Sequence, residues 1–354
     1  MCTLLSLRYR TLYRRLCAAL FVAGIFCQLP VLVAQDTPLL SGGVGFLTNT
    51  NGGNTSYQTV AVPVLEAPIG QHLLVESRAN VLETFSPEGN GQGYNHSTFL
   101  GLSYLQGDYI ATPHITVVGG YFLTPFGTYN ERLAPIWISN LQDAPLIFSL
   151  GTMVSGNGTG GMLRGNAYST DEVSISYAAY FSAGSTNKEF QSTRSTGGQV
   201  YAYFPKARLE VGTSYGRTLE GTQLNSFGAH VWWEPAGIPL KIRSEYAHGT
   251  HSQGYWIETD YRLSQIHGPE SLIGRLEPIF RLQQTFRNSP ADATDFLPSA
   301  DTQRTDFGLD YHLPHEVRIN TSYARQFSST GNFNIWETGI VYRFLFPAWK
   351  GKSK

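Results

Sequence analysis

The sequence predicts an all-β chain closed into a transmembrane antiparallel β-barrel of about 16 strands, within a range of 14 to 18. Three observations carry that prediction. From Ser41 to Phe346 the chain runs in short stretches of alternating apolar and polar residues, the period of a strand whose two faces meet different surroundings. Charged residues make up 14% of the chain, against about 25% in soluble domains, while Tyr and Phe number 20 each, so the apolar face calls for lipid. The connections alternate between short and long, as in barrels with tight turns at one end and loops at the other.

Taken in order, the chain opens with Arg8, Arg10, Arg14 and Arg15 before the apolar run Leu16 to Ala34. A basic segment, an apolar segment and a small residue at the end read as a secretory signal peptide over 1–34, removed after Ala34. Gln28 and Pro30 interrupt the run and argue against an uncleaved membrane anchor. Cys2, Cys17 and Cys27, the only three cysteines, leave with this segment, which excludes disulfides and thiolate metal sites from the mature chain. Cleavage leaves 21 basic against 26 acidic residues, a mildly acidic balance that gives no reason to invoke nucleic acid.

One domain, 35–346, accounts for the rest, since no linker or change of composition divides it. Strands are expected near 41–48, 57–66, 72–84, 97–106, 114–124, 160–169, 172–183, 196–205, 207–219, 222–234, 239–249, 253–265, 274–288, 303–314, 316–327 and 334–346, with no helix among them. Ala67-Pro68-Ile69-Gly70, Asp171, Pro205-Lys206, Pro235-Ala236-Gly237 and Pro314-His315 make tight turns after even strands. Long connections follow odd strands at 85–96, 125–159, 184–195 and 288–302, whereas those at Glu220, Thr250 and Ser329 are short.

The last strand shows the two faces most plainly. Ile340, Tyr342, Phe344 and Phe346 share one face, and Glu337, Gly339, Val341, Arg343 and Leu345 the other. The same parity sends Val211, Ile242, Ile257, Phe280, Leu309 and Ile340 to lipid. It places Lys241, Arg243, Glu245, Glu258, Asp260, Arg262, Glu277, Arg281, Arg304, Asp306 and Arg343 on the lumen wall. Arg at Glu258 or Gly308 is therefore expected to be tolerated far better than Arg at Ile257 or Leu309. Rings of charge are how pores select ions, and the mixture of signs predicts weak selectivity. Tyr215, Tyr246 and Tyr323 at the loop ends, with Trp233, Tyr261, Tyr311 and Phe344 at the turn ends, read as two aromatic girdles.

The connection Pro125 to Thr159 is too long and too apolar to stand in water, with Leu133, Ile136, Ile138, Leu146, Ile147 and Phe148 along it. It is expected to fold into the lumen and narrow it, with Tyr129, Glu131, Arg132, Trp137 and Asp143 at the constriction. Two sequence motifs fail on context. Gly212-Thr213-Ser214-Tyr215-Gly216 has the G-x-S-x-G spacing of a nucleophile elbow but lies inside a strand, which makes Ser214 a lumen hydroxyl. Gly156 to Gly161 has the G-x-G-x-x-G spacing of a phosphate cradle but opens no helix. The nine His are scattered, so no metal, haem or catalytic residue is assigned.

At this point the chain resembles the Gram-negative outer-membrane porins, of general or phosphate-selective type. The likeness rests on the signal peptide, the alternating strands, the long connection after the fifth, the aromatic-ended last strand and the passage Gly119-Gly120-Tyr121-Phe122-Leu123-Thr124-Pro125-Phe126-Gly127. The tail Pro347 to Lys354 departs from the family, whose chains finish on the aromatic residue. The resemblance implies a bacterial outer-membrane channel for passive diffusion of small hydrophilic solutes or ions, with no catalysis and no cofactor. It also implies contact with outer-membrane lipid and lipopolysaccharide, insertion by the barrel assembly machinery, and a homotrimer. The competing classes are a barrel enzyme, phospholipase- or protease-like, and a barrel sheathing a partner protein.

Overall fold

The computed structural model describes residues 37–89, 93–148, 156–221, 223–289 and 297–348. The expected signal peptide and residues 349–354 of the expected tail lie outside them.

Among the described residues, sixteen strands form one closed barrel in which each strand pairs antiparallel with its neighbours in sequence. They are β1 (Leu39–Asn51), β2 (Asn54–Ile69), β3 (Leu73–Pro87), β4 (Tyr94–Thr112), β5 (Ile115–Leu123), β6 (Asn157–Ser169), β7 (Ser174–Ala183) and β8 (Ser195–Phe204). The second half is β9 (Leu209–Thr218), β10 (Asn225–Trp233), β11 (Leu240–His248), β12 (Ser252–Tyr261), β13 (Leu276–Arg287), β14 (Thr302–Leu313), β15 (Val317–Ser328) and β16 (Phe333–Pro347). The seam is made by β1, where Leu39 stands opposite both Glu66 and Pro347. Closure leaves no sheet edge, the condition for strands in a medium that cannot hydrogen-bond to them.

The two parities separate as the side-chain chemistry requires. On β13 and β14, Glu277 faces Asp310, Arg281 faces Asp306 and Gln283 faces Arg304, all buried inside. The alternate positions Phe280 and Phe307 meet outside as a tilted pair with ring centroids 5.2 Å apart, and Leu309 beside them is exposed. Near the loop end, Tyr215, Tyr246 and Tyr323 donate their hydroxyls to Asn225, Gln253 and Asn334 at 2.8–2.9 Å. Each aromatic ring thus keeps its body outside and its polar tip satisfied.

Three expectations need correction. β3 runs on to Pro87 and β4 from Tyr94 to Thr112, so half of the long connection expected at 85–96 is strand. β12 stops at Tyr261, not 265, and the connection to β13 carries a short helix, Ser264–His267, closed by Gly268 at φ +76° and by Pro269. It is the one long connection at the end of the barrel that otherwise has tight turns, among the described residues. The third loop also ends earlier than 159, because Asn157 already pairs with Leu123. Gly158 permits that early start, since a Cβ there would sit 3.0 Å from the Phe122 ring and from Ser182.

Candidate functional site

The described residues 124–148 of the segment between β5 and β6 lie on the inward face of the wall and are fastened there by wall side chains. Glu245 on β11 accepts from the backbone N–H and hydroxyl of Thr128, and from the N–H of Tyr129 at 2.8 Å. Gly127 donates to Ser214 Oγ at 3.0 Å and its carbonyl accepts from Gln199 at 2.9 Å. Ser214, the centre of the would-be nucleophile motif, is thus a buried anchor of the loop.

Farther along, Asn140 donates to Glu258 and Asp260, both at 3.1 Å, and Gln283 accepts from the N–H of Leu146 at 2.8 Å. Arg281 reaches the carbonyl of Asp143 at 2.8 Å, Arg304 reaches its carboxylate at 2.6 Å, and Arg318 donates to the carbonyls of Ile136 and Ser139. The loop's irregular backbone thereby finds partners that water would otherwise supply. Apolar contacts complete the seat. Phe126, Tyr129, Leu133, Ile147 and Phe148 form a buried cluster with Ala247 and Trp256 of the wall. Ile136 and Trp137 pack on Leu47 of β1, Val60 and Val62 of β2 and Val341 of β16.

Glycines in the wall act as sockets. A Cβ at Gly43 would stand 2.7 Å from Trp137, one at Gly308 2.7 Å from Leu141, and one at Gly254 2.5 Å from Ile147. The loop can lie this close only where the wall has no side chain.

This seating revises the expected wall. Lys241, Arg243, Glu245, Glu258, Asp260, Glu277, Arg281, Arg304 and Asp306 do point inward, but all are buried, most of them directly beneath the loop. They form a paired network: Arg243 and Arg281 both hold Glu258, Arg243 also meets Asp260 at 2.9 Å, and Arg304 meets Asp306 at 2.7 Å. Of the eleven expected wall residues only Arg262 and Arg343 remain open to solvent, with side chains 45% and 53% exposed. The reason is the loop itself, which removes that half of the wall from water.

The expected constriction residues divide in the same way. Tyr129 is buried against Phe148 and Trp256, Trp137 is packed over Gly43, and Asp143 is committed to Arg304, so these three fasten the loop. Glu131 and Arg132 lie on the loop's free side. The Arg132 guanidinium sits 4.5 Å above the Trp232 ring and pairs with Glu210 at 2.5 Å while staying 42% exposed. Glu131 is half-buried, yet surrounded by loop and wall. That desolvation pushes its carboxyl up to about 7, against the pull of Arg164 and Arg132.

Opposite them is a set of residues that the sequence reading missed. On β3, β4 and β6, Glu76, Asp108 and Arg164 form an ion-pair cluster, with Gln106 donating to both carboxylates at 3.0 Å. Beside it Arg78 lies 5.2 Å from the Tyr104 ring. The signal existed in part, because Glu76 and Arg78 alternate with Ser77, and Gln106 and Asp108 with Gly107. The bulge at Ser103, where Arg78 pairs with Tyr104 but Ala79 with Leu102, shifts the parity of β4 and breaks the pattern.

No protein-family model matches this chain, and no curated protein matches its sequence. Solved structures do. An anion-selective porin from Comamonas acidovorans aligns over 87% of this chain and 100% of its own, at 11% identity and a TM-score of 0.56. OmpF of Salmonella typhi, in complex with daunomycin, aligns over 87% and 98%, at 14% identity and a TM-score of 0.59. The fold is that of the outer-membrane porins. OccK5 of Pseudomonas aeruginosa shares this porin fold over 88% of this chain and 99% of its own, at 9% identity and a TM-score of 0.50.

Proposed function

We propose that the chain is a passive diffusion channel of the bacterial outer membrane, admitting small hydrophilic solutes or ions with weak charge selectivity. The observation that carries this reading is the described part of the loop fastened along the inner wall, with partly solvated charges at Arg132 on the loop and at Glu76 and Arg164 on the wall. A barrel that only had to be filled would not keep Arg132 and Arg164 about 40% exposed within it. Solutes would pass between Glu131 and Arg132 on the loop and the Glu76, Asp108 and Arg164 cluster on the wall. Both sides carry both signs, so the field across the passage is modest and size does most of the filtering. Residues 1–34 would direct the chain to the membrane and be removed. The short turns and both strand ends at the seam would then face the periplasm, and the longer loops the exterior.

The deciding experiment is single-channel recording in planar bilayers, with the reversal potential read across a salt gradient. Discrete conductance steps with a reversal potential far from the ideal value for either ion sign support the reading. A barrel that folds and inserts but carries no current would remove it.

A further inference from the structure

The end of the barrel with the short turns holds a cavity whose lining shares no residue with the proposed solute passage. It has a volume of about 490 Å³, and its lining joins Trp137 of the third loop and Val341 to the cations Arg275, Arg318 and Arg343. Its mouth is formed by the exceptional connection between β12 and β13 and by the turn between β14 and β15. We propose that this cavity is a binding site for small amphipathic organic anions, a carboxylate carried on an aromatic or compact apolar body, entered from the periplasm.

Four observations converge on that ligand class. The volume is in the range of small-molecule sites, and an apolar floor with a few polar groups above it is their usual construction. The indole of Trp137 and the side chain of Val341 supply that floor. The cations come from three different strands or connections and point into one space, and Arg presents a fork that matches a carboxylate.

The charges already beside these cations are easily displaced. Arg343 meets Glu316 only at 3.9 Å, with that carboxylate's side chain 68% exposed, and Arg275 meets Glu270 at 3.3 Å, with its side chain 91% exposed. Pairs this exposed contribute little, so a ligand carboxylate can take the place of either glutamate. Arg318 is different: Asp310 and two loop carbonyls already hold it, so it supplies background charge and supports the loop above the site.

The fourth observation is the backbone at the mouth. His315 and Glu316 both adopt left-handed φ, 63° and 60°, and three non-glycine residues in all do so among the described residues. His315 and Glu316 lie in the three-residue turn Pro314 to Glu316 between the paired Leu313 and Val317, where left-handed φ is a conformation that Gly or Asn adopts with least strain. Here the strained turn carries two ionisable side chains to the rim of the cavity. Strain of this kind is concentrated where a site needs particular groups held in place.

The test uses the full barrel in detergent with 4-fluorobenzoate as probe, read by fluorine NMR. It is independent of the channel reading because no current is measured. Saturable binding is expected, weakened about tenfold by Arg343→Gln and by Arg275→Gln, the scale of losing a hydrogen bond to a charged group. Arg217→Gln, at the opposite end of the barrel, should leave it unchanged. Benzoate should displace the probe at far lower concentration than acetate, and 4-fluorobenzyl alcohol should bind much more weakly. Absence of saturable binding, equal binding of the alcohol, or equal losses from Arg217→Gln and Arg343→Gln would each overturn the proposal. Arg343 is solvent-exposed and Arg217 is partly exposed with its guanidinium on Gln223, and β-sheet circular dichroism checks that both variants fold.

Discussion

The two halves of the inner wall carry the same kinds of residue and use them differently. On β11 to β14 the acids and arginines lie beneath the third loop, almost fully buried, each charge met by another charge or by a loop amide. On β3, β4 and β6, Glu76 and Arg164 keep part of their surface in water. Burial decides the role. A charge removed from water must be paired and becomes a structural tie, whereas a charge left in water can act on a passing solute. Inward parity therefore identifies what faces the lumen but not what faces the solute.

The largest effect that could break this comparison is at Glu258. Its carboxylate is held by Arg243, Arg281 and Asn140. Glu258→Ala should destabilise the barrel by about 3–5 kcal/mol, the cost of leaving buried cations unpaired, in a urea refolding titration. It should also free the loop and make the single-channel current noisier. A loss as small as that of a surface pair would mean that water reaches this half of the wall after all.

Next come Leu309 and Gly308, adjacent residues on opposite faces. Leu309→Arg should cost about 2–4 kcal/mol by placing a cation against lipid at mid-depth. The expectation that the inward neighbour is tolerant fails on the structure, because Gly308 is the socket for Leu141. Gly308→Ala should cost about 1–3 kcal/mol by overpacking, and Gly308→Arg should expel the loop. Conductance separates the two: the inward change should raise it, and the outward one should leave it unaltered in the fraction that folds.

The strands were legible because parity is a local property: Phe280 and Arg281 declare their faces without knowledge of anything else in the chain. That the third connection needs cover was legible too, from Leu133, Ile136, Ile147 and Phe148. Which side of the barrel would provide the cover was not, since it depends on where the wall lacks side chains. Gly43, Gly254 and Gly308 look like any other strand glycines in the sequence. The fate of Tyr129 and Asp143 followed from the same unknown. On the open side, the extra residue at Ser103 hid the alternation that would have marked Asp108 and Gln106 as partners of Glu76.

Arg132 should separate stability from selectivity. Its guanidinium is paired with Glu210 and stacked on Trp232 but remains substantially in water. Arg132→Gln should therefore change stability by only about 0–1 kcal/mol. It removes a cation from the passage, so the reversal potential should move toward cations. A variant that unfolds as readily as Glu258→Ala would place Arg132 among the structural ties.

The smallest effect sharpens the comparison on its solvated side. Desolvation holds the Glu131 carboxyl at about 7, so near neutral pH it is only partly ionised. A carboxyl with a raised pKa is neutral below that value and charged above it. Raising the pH from 6 to 8 therefore adds about one negative charge to the free side of the loop. The reversal potential should drift by a small amount toward cations over that interval, with a midpoint near 7. Glu131→Gln should abolish the drift and fix the selectivity at its low-pH value, while leaving Arg132 and the wall cluster in place. Persistence of the full drift in Glu131→Gln would assign it to another titrating group, and Glu131 would then have to be moved from the water-facing set to the buried one.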